Sequence, residues 1–211
     1  MYPQPRRVQP SSPGRLGMTL VAAAAVALAS LGATGANPAA SASPKRTADA
    51  VAELLRQKQW AAAESLANVQ LTRLAGDPTP DSLAVADALF AIGWARLGRV
   101  ELTDGAALRA ASRCLQLRTR LGADPLEVAR AHDLMGRVLD FTGRSDTALV
   151  HLRRVVELRT AQLGPVDTLV ANAWYRLAMV HRNLFDLAPA LDEFGHALRS
   201  ASARTGPSTR R

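Results

Sequence analysis

Leu117–Ala129 reads LRTRLGADPLEVA, and Leu158–Ala171 reads LRTAQLGPVDTLVA. A looser echo, LTRLAGDPTPDSLAVA, stands earlier at Leu71–Ala86. The shared grammar is a stop followed by a start. Gly122 and Gly164 can take the left-handed conformation that terminates a helix. Asp124 can accept from the open amides of a following helix, and Pro125 suits its first turn. Asp81 and Asp167 stand in the same place in the other copies. A helix end joined to a helix start, met three times, predicts a chain made of repeated helical units.

The apolar residues around these stretches give the same answer. Ala148, Leu149, Leu152, Val155 and Val156 follow the spacing n, n+1, n+4, n+7, n+8. So do Ala107, Leu108, Ala111, Cys114 and Leu115, and so do Ala190, Leu191, Phe194, Ala197 and Leu198. That spacing is one stripe along an α-helix. Ala62, Ala63, Leu66, Val69 and Gln70 repeat it with one polar miss. Ahead of the stripes, VADALFAIGWA at Val85, VARAHDLMGRV at Val128 and VANAWYRLAMV at Val170 align with one another. Each unit is therefore a helix pair of about 42 residues, a length at which a lone pair cannot bury its apolar stripe and must stack on neighbours. The units fall at 47–76, 81–122, 125–164 and 167–204. Abundant Ala and Leu favour helix, and aromatics make up only 4% of the chain, so an all-α body is expected.

This pattern resembles the tetratricopeptide repeat, in the longer form found in kinesin light chains and many bacterial proteins. The likeness spans about 160 of the 211 residues. Val170, Ala171, Trp174, Leu177, Ala178, His181, Ala190 and Leu191 hold the motif positions of the last unit. Val128, Ala129, His132, Met135, Gly136, Leu139, Gly143, Ala148 and Leu149 hold them in the third. Two departures stand out. The family's Asn-Asn pair is replaced by Tyr175-Arg176 and by Asp133-Leu134. The second unit is expected to have a shortened first helix and an enlarged turn, GRVELTDGAAL, from Gly98.

The resemblance implies a right-handed α-solenoid of about four stacked antiparallel helix pairs, whose first helices line a concave groove that holds a protein or peptide partner. The residues it implicates are those off the packing stripe on these helices: Arg130, Asp133 and Arg137 in the third unit, and Asn172, Tyr175, Arg176 and Met179 in the fourth. Arg pairs bidentately with carboxylates. Tyr and Met offer adaptable apolar contact. An acidic or C-terminal peptide with an apolar anchor fits this set. The end of the stack lacks a polar capping helix after the last unit, so self-association or docking through the C-terminal helix pair is a second expectation.

Other function classes find little support. The formal charge is +8, but residues 47–198 hold 17 basic against 18 acidic side chains. The excess sits at the two ends, whereas nucleic-acid binding needs cations clustered on the folded body. The single cysteine, Cys114, excludes an internal disulfide framework and occupies a core stripe position. The four histidines show no pairing three or four residues apart on one helix. His132 and His181 fall on packing positions, so no metal is expected. No catalytic or phosphate-binding motif is present, no cofactor is expected, and no catalytic residue is assigned. The Ser and Asp of GRSDTAL, Ser145 and Asp146, read as caps of the following helix.

The first 42 residues have the order of a secretory signal peptide: Arg6, Arg7 and Arg15, then an apolar run from Met18 to Ala33, then small residues. Cleavage after Ala36 or after Ala42 fits. The rival is an uncleaved anchor, for which the run is at the short end. Ser, Pro and Ala from Asn37 to Pro44 read as flexible, with a linker over 43–46, and residues 205–211 form a basic tail. Twenty-four arginines against two lysines suggest a GC-rich bacterial genome. The sequence thus predicts a non-enzymatic interaction module or scaffold in the bacterial envelope, periplasmic or secreted. The alternative is a membrane-anchored subunit of an envelope assembly, docking through its C-terminal repeat.

Overall fold

The computed structural model describes residues 44–202, and these form eight helices that pack in sequence as four pairs. They are α1 (Pro44–Arg56), α2 (Trp60–Ala75), α3 (Ser82–Arg99), α4 (Ala106–Arg120), α5 (Pro125–Phe141), α6 (Ser145–Leu163), α7 (Thr168–Asn183) and α8 (Leu187–Ser202). The expected signal peptide with its cleavage sites, and the expected basic tail, lie outside the described residues. The linker expected over 43–46 is corrected from Pro44 onward, where α1 already begins. Among the described residues no helix is long and apolar enough to cross a membrane.

Asp81 accepts from the amides of Leu83 and Ala84 at 2.9 and 3.2 Å, Asp124 from Leu126 at 2.8 Å, and Asp167 from Leu169 at 2.7 Å. Pro125 is the first residue of α5. At the end of α4, Gly122 has φ +60. Its amide donates to Thr119 O at 3.3 Å, and that of Ala123 donates to Arg118 O at 3.0 Å. This doubly bonded close satisfies carbonyls that the helix would otherwise leave open. Gly164 differs from the left-handed expectation: at φ +79 and ψ 170 it turns out of α6 through a conformation reserved to glycine.

Ser145 and Asp146 do not cap α6. Arg144 precedes the helix without a side-chain bond, and Ser145 Oγ instead donates to Asp140 Oδ1 at 2.8 Å, tying α6 back to α5. The second unit's first helix is not shortened either. At 18 residues, α3 is slightly longer than α5 and α7. Its turn is enlarged as expected, running over 100–105 where the other three pairs have three residues. The extra length places Leu102 in the core and lets Asp104 accept from Arg96 at 2.5 Å.

The core runs along the stack. Phe90, Leu97, Ala111 and Cys114 of the second unit pack with Ala131, Leu134 and Val138 of the third. Leu149, Leu152 and Val156 of α6 pack with Ala173, Leu177 and Val180 of α7. Val51 and Ala67 of the first unit join Ala91, Ile92 and Ala110 of the second. Within a pair, the helices meet over one small residue. A Cβ on Gly136 would stand 2.8 Å from Leu152 Cγ. Gly93 and Ala178 hold the equivalent places, both buried. Cys114 is fully buried, and burial pushes its thiol up to about 11, as suits a packing residue.

Candidate functional site

The first helices bring Phe90 and Trp94 of α3 beside the α5 residues Arg130, Asp133 and Arg137. Phe90 and Trp94 stack at 5.5 Å between ring centroids. The guanidiniums of Arg118 and Arg130 lie 5.1 and 4.7 Å from the Phe90 ring, and that of Arg137 lies 4.4 Å from Trp94. These distances are those of cation–π contacts. Two hollows open here. One, of about 460 Å³, is lined by residues including Leu55, Phe90, Trp94, Leu126, Asp133 and Leu169. The other, of about 450 Å³, shares Leu55, Phe90 and Arg130 with it and reaches Asp87 and Glu127. Together they make an apolar groove along α1, α3 and α5, edged with charge.

Arg118 and Arg159 come from second helices, yet both reach this face. Arg118 is 2% exposed. Its Nη1 donates to Glu127 O at 2.9 Å, and its Nη2 pairs with Asp87 at 2.7 Å and Glu127 at 2.9 Å. Arg159 repeats the device one unit on, donating through Nη1 to Leu169 O at 3.1 Å. Each arginine staples the end of one unit to the first turn of the next. The shared Leu-Arg-Thr of the opening stretch therefore has a purpose beyond the stop and start. Burial lowers the pKa of Arg159, which Asp133 at 4.0 Å opposes.

Four of the residues expected to line the groove come together. Arg130 is exposed, pairs with Glu127 at 2.7 Å, and lines both hollows. Arg137 is half-buried beside Trp94, and burial lowers its pKa, with Arg176 adding to the effect. Arg176 Nε stands 3.4 Å from Asp133 Oδ1. Asp133 departs from the expectation that it lies off the packing stripe, being only 5% exposed. It sits where Arg137, Arg159 and Arg176 converge, so it serves as their counter-charge on the floor of the groove. The other three are not brought into this cluster. Tyr175 turns its ring to Phe194 of α8, 5.6 Å away. Asn172 is exposed and Met179 half-buried on α7.

Phe90, Trp94, Arg118 and Arg159 were not singled out from the sequence. The two arginines carried a usable signal, since both occupy the same place in the echoed stretch. The aromatics had none, because a Phe four residues before a Trp reads equally well as core.

Among the described residues the fold is all-α, eight helices packed sequentially in pairs, as in tetratricopeptide-repeat structures. The crystal structure of BtubC (BKLC) from P. vanneervenii aligns over 79% of this chain and 65% of its own, with a TM-score of 0.65 and 13% identity. The apo form of RapI aligns over 90% of this chain and 66% of its own, with a TM-score of 0.67 and 14% identity. The chain thus spans about two thirds of the length of each. No protein-family model matches the sequence, and neither does any curated protein.

Proposed function

We propose that this chain is a non-enzymatic interaction module that holds an extended segment of a partner protein in the groove along α1, α3 and α5. One observation carries the reading: a continuous Phe90–Trp94 floor is bracketed by Arg118, Arg130 and Arg137, with Arg159 and Arg176 beyond. With Arg56 these make six cations, against Asp49, Asp87, Asp124, Glu127 and Asp133. The acids gather at the α1 end, whereas around Asp133 three arginines, Arg137, Arg159 and Arg176, meet one carboxylate, and that end of the trough suits a segment carrying carboxylates and one apolar anchor. The fold supports a protein partner, since helical solenoids display extended surfaces. The N-terminal sequence supports work in the bacterial envelope after export, with the membrane-anchored subunit as the rival.

Selection from a displayed peptide library tests the groove. Retained peptides are expected to combine Asp, Glu or a free C-terminus with an apolar residue, and to lose binding to an Arg130→Glu, Arg137→Glu variant that circular dichroism shows to be equally helical. Peptides that bind this variant as well as the wild type would move the site elsewhere. The mature mass decides between export and anchoring, because loss of the first 36 or 42 residues excludes the anchor.

A second surface has its own observation. Leu191 and Leu198 are 72% and 71% exposed, although Leu149 and Val156, their equivalents in the third unit, are 7% and 6% exposed beneath α7. This open face is where docking through the C-terminal helix pair would occur.

A further inference from the structure

The open face of α8 is apolar, and it also matches itself. At roughly 100° per residue, Leu187, Leu191 and Leu198 fall within about 40° of one another around the helix. They are 59%, 72% and 71% exposed, whereas Ala190, Glu193, Ala197 and Ser200 on the other side are buried. Asp192 and Arg199 lie together along one edge of this face, roughly 20° apart. Asp192 reaches His196 at 3.7 Å, yet its side chain stays 74% exposed. Arg199 Nη1 stands 3.2 Å from where a Cβ on Gly195 would be, which carries its charge toward the middle of the helix. Leu191 and Leu198 are seven residues apart, and so are Asp192 and Arg199. A two-fold axis crossing α8 near Gly195 therefore sets Leu191 of each copy beside Leu198 of the other, and Asp192 of each beside Arg199 of the other. The centres of the two pairings differ by one residue, a rise of ~1.5 Å. The same rotation brings the same edge of each helix together, so both charge pairs form at once. The other end of the stack offers no such match. Among the described residues α1 exposes no large apolar side chain, and α2 exposes Val69 alone.

We propose that a second copy of this chain covers the face, giving a two-fold dimer in which the two α8 helices pack antiparallel through Leu187, Leu191 and Leu198. Exposed leucines joined in one stripe are the mark of an interaction site. A surface that complements itself closes with one partner, whereas head-to-tail contact would set the leucines against α1 and α2 and extend without closing. In the dimer the second α8 lies on the stripe as α7 lies on Leu149 and Val156 of α6. The rim pairs of Asp192 with Arg199 fix the antiparallel register more than they add affinity. The dimer rests on the reading of the open end as a docking face and is independent of the groove.

The test is sedimentation equilibrium of the full chain, with circular dichroism showing each variant equally helical. The wild type is expected to reach twice the monomer mass as concentration rises, and to stop there. Leu191→Glu, Leu198→Glu should stay monomeric. Asp192→Arg sets like charges across the interface and should weaken the dimer about tenfold or more, as should Arg199→Asp. The double variant Asp192→Arg, Arg199→Asp restores opposite charges and should regain the dimer. In the wild-type background, Gly195→Cys should be joined to its counterpart by a short bismaleimide and Val69→Cys should not, since the native Cys114 is fully buried. The groove variant Arg130→Glu, Arg137→Glu should dimerise as the wild type does, so failure of the dimer and failure of the groove are read apart. A monomeric wild type, a dimer that survives Leu191→Glu, Leu198→Glu, growth past the dimer, or a charge swap that restores nothing would overturn the proposal. If the wild type is monomeric, sedimentation with phosphatidylglycerol vesicles that is lost in the leucine variant would give the face to a membrane. Absence of vesicle binding would leave it to a different protein.

Discussion

Val100 shows how much one residue's backbone can ask of its side chain. The turns inside the four pairs put Lys58, Val100, Gly143 and Phe185 at positive φ, and only one of these is glycine. A β-branched side chain at φ +59 crowds its own backbone, and Val100 is 63% exposed, so it gains little packing in return. Val100→Gly should raise stability by ~1 kcal/mol in urea denaturation, and a loss of stability would contradict this account of the turn. Arg118 is the opposite case, buried and bonded on every side. Arg118→Ala removes the buried guanidinium from Asp87 and from the Glu127 carbonyl, leaves Glu127 paired with Arg130 alone, and should cost ~2 kcal/mol. The exposed pair Arg154–Glu157 is the control, and Arg154→Ala should change stability by less than ~1 kcal/mol. Equal losses from the two variants would remove Arg118 from its role as a staple. At this scale the sequence was legible where a residue's chemistry has one outlet, as in the capping aspartates. It was harder to read where one residue type has several, as with Arg118 and Arg159: their shared place in the echo marks them, but spacing along one helix does not show that they reach the next.

The helices themselves were the most readable part, because a stripe at n, n+1, n+4, n+7, n+8 has one physical meaning. Contacts between helices were less so. The search for histidines three or four apart on one helix could not find His132 and His151, whose Nδ1 atoms lie 3.0 Å apart, since the pair exists only once α5 and α6 have docked. That docking has a consequence for acid stability. An exposed histidine titrates near its usual value of 6.5, whereas His132 is held down to about 4 by burial, by His151 and by Arg154. Between these values the unfolded chain binds a proton that the folded chain refuses. Its contribution to stability is therefore whole above about pH 6.5 and lost as pH falls through that window. Urea midpoints at about pH 7.5 and about pH 4.5 should differ less for His132→Asn than for the wild type. An equal drop in both would show that His132 does not carry the acid sensitivity.

For the molecule as a whole, stacking explains which surfaces are closed and which are open. The fourth unit covers the stripe of the third, so Leu149 and Val156 are buried, while Leu191 and Leu198, with the same spacing in α8, have no helix over them among the described residues. The groove arises from the same stacking, because α1, α3 and α5 can only form a trough once their units are in register. Its existence was legible through the family resemblance. Its composition was not, since Asp133 proved to be a buried counter-charge and Tyr175 faced Phe194 of the last helix. The central claim is that the partner lies in the trough rather than on the open end. It is tested most directly by photocrosslinking, with benzoylphenylalanine placed at position 55 in the groove or at position 198 on the end face, and a library-selected peptide as the probe. Adducts from position 55 and none from position 198 are predicted. Adducts from position 198 alone would contradict the groove and make the C-terminal face the binding site.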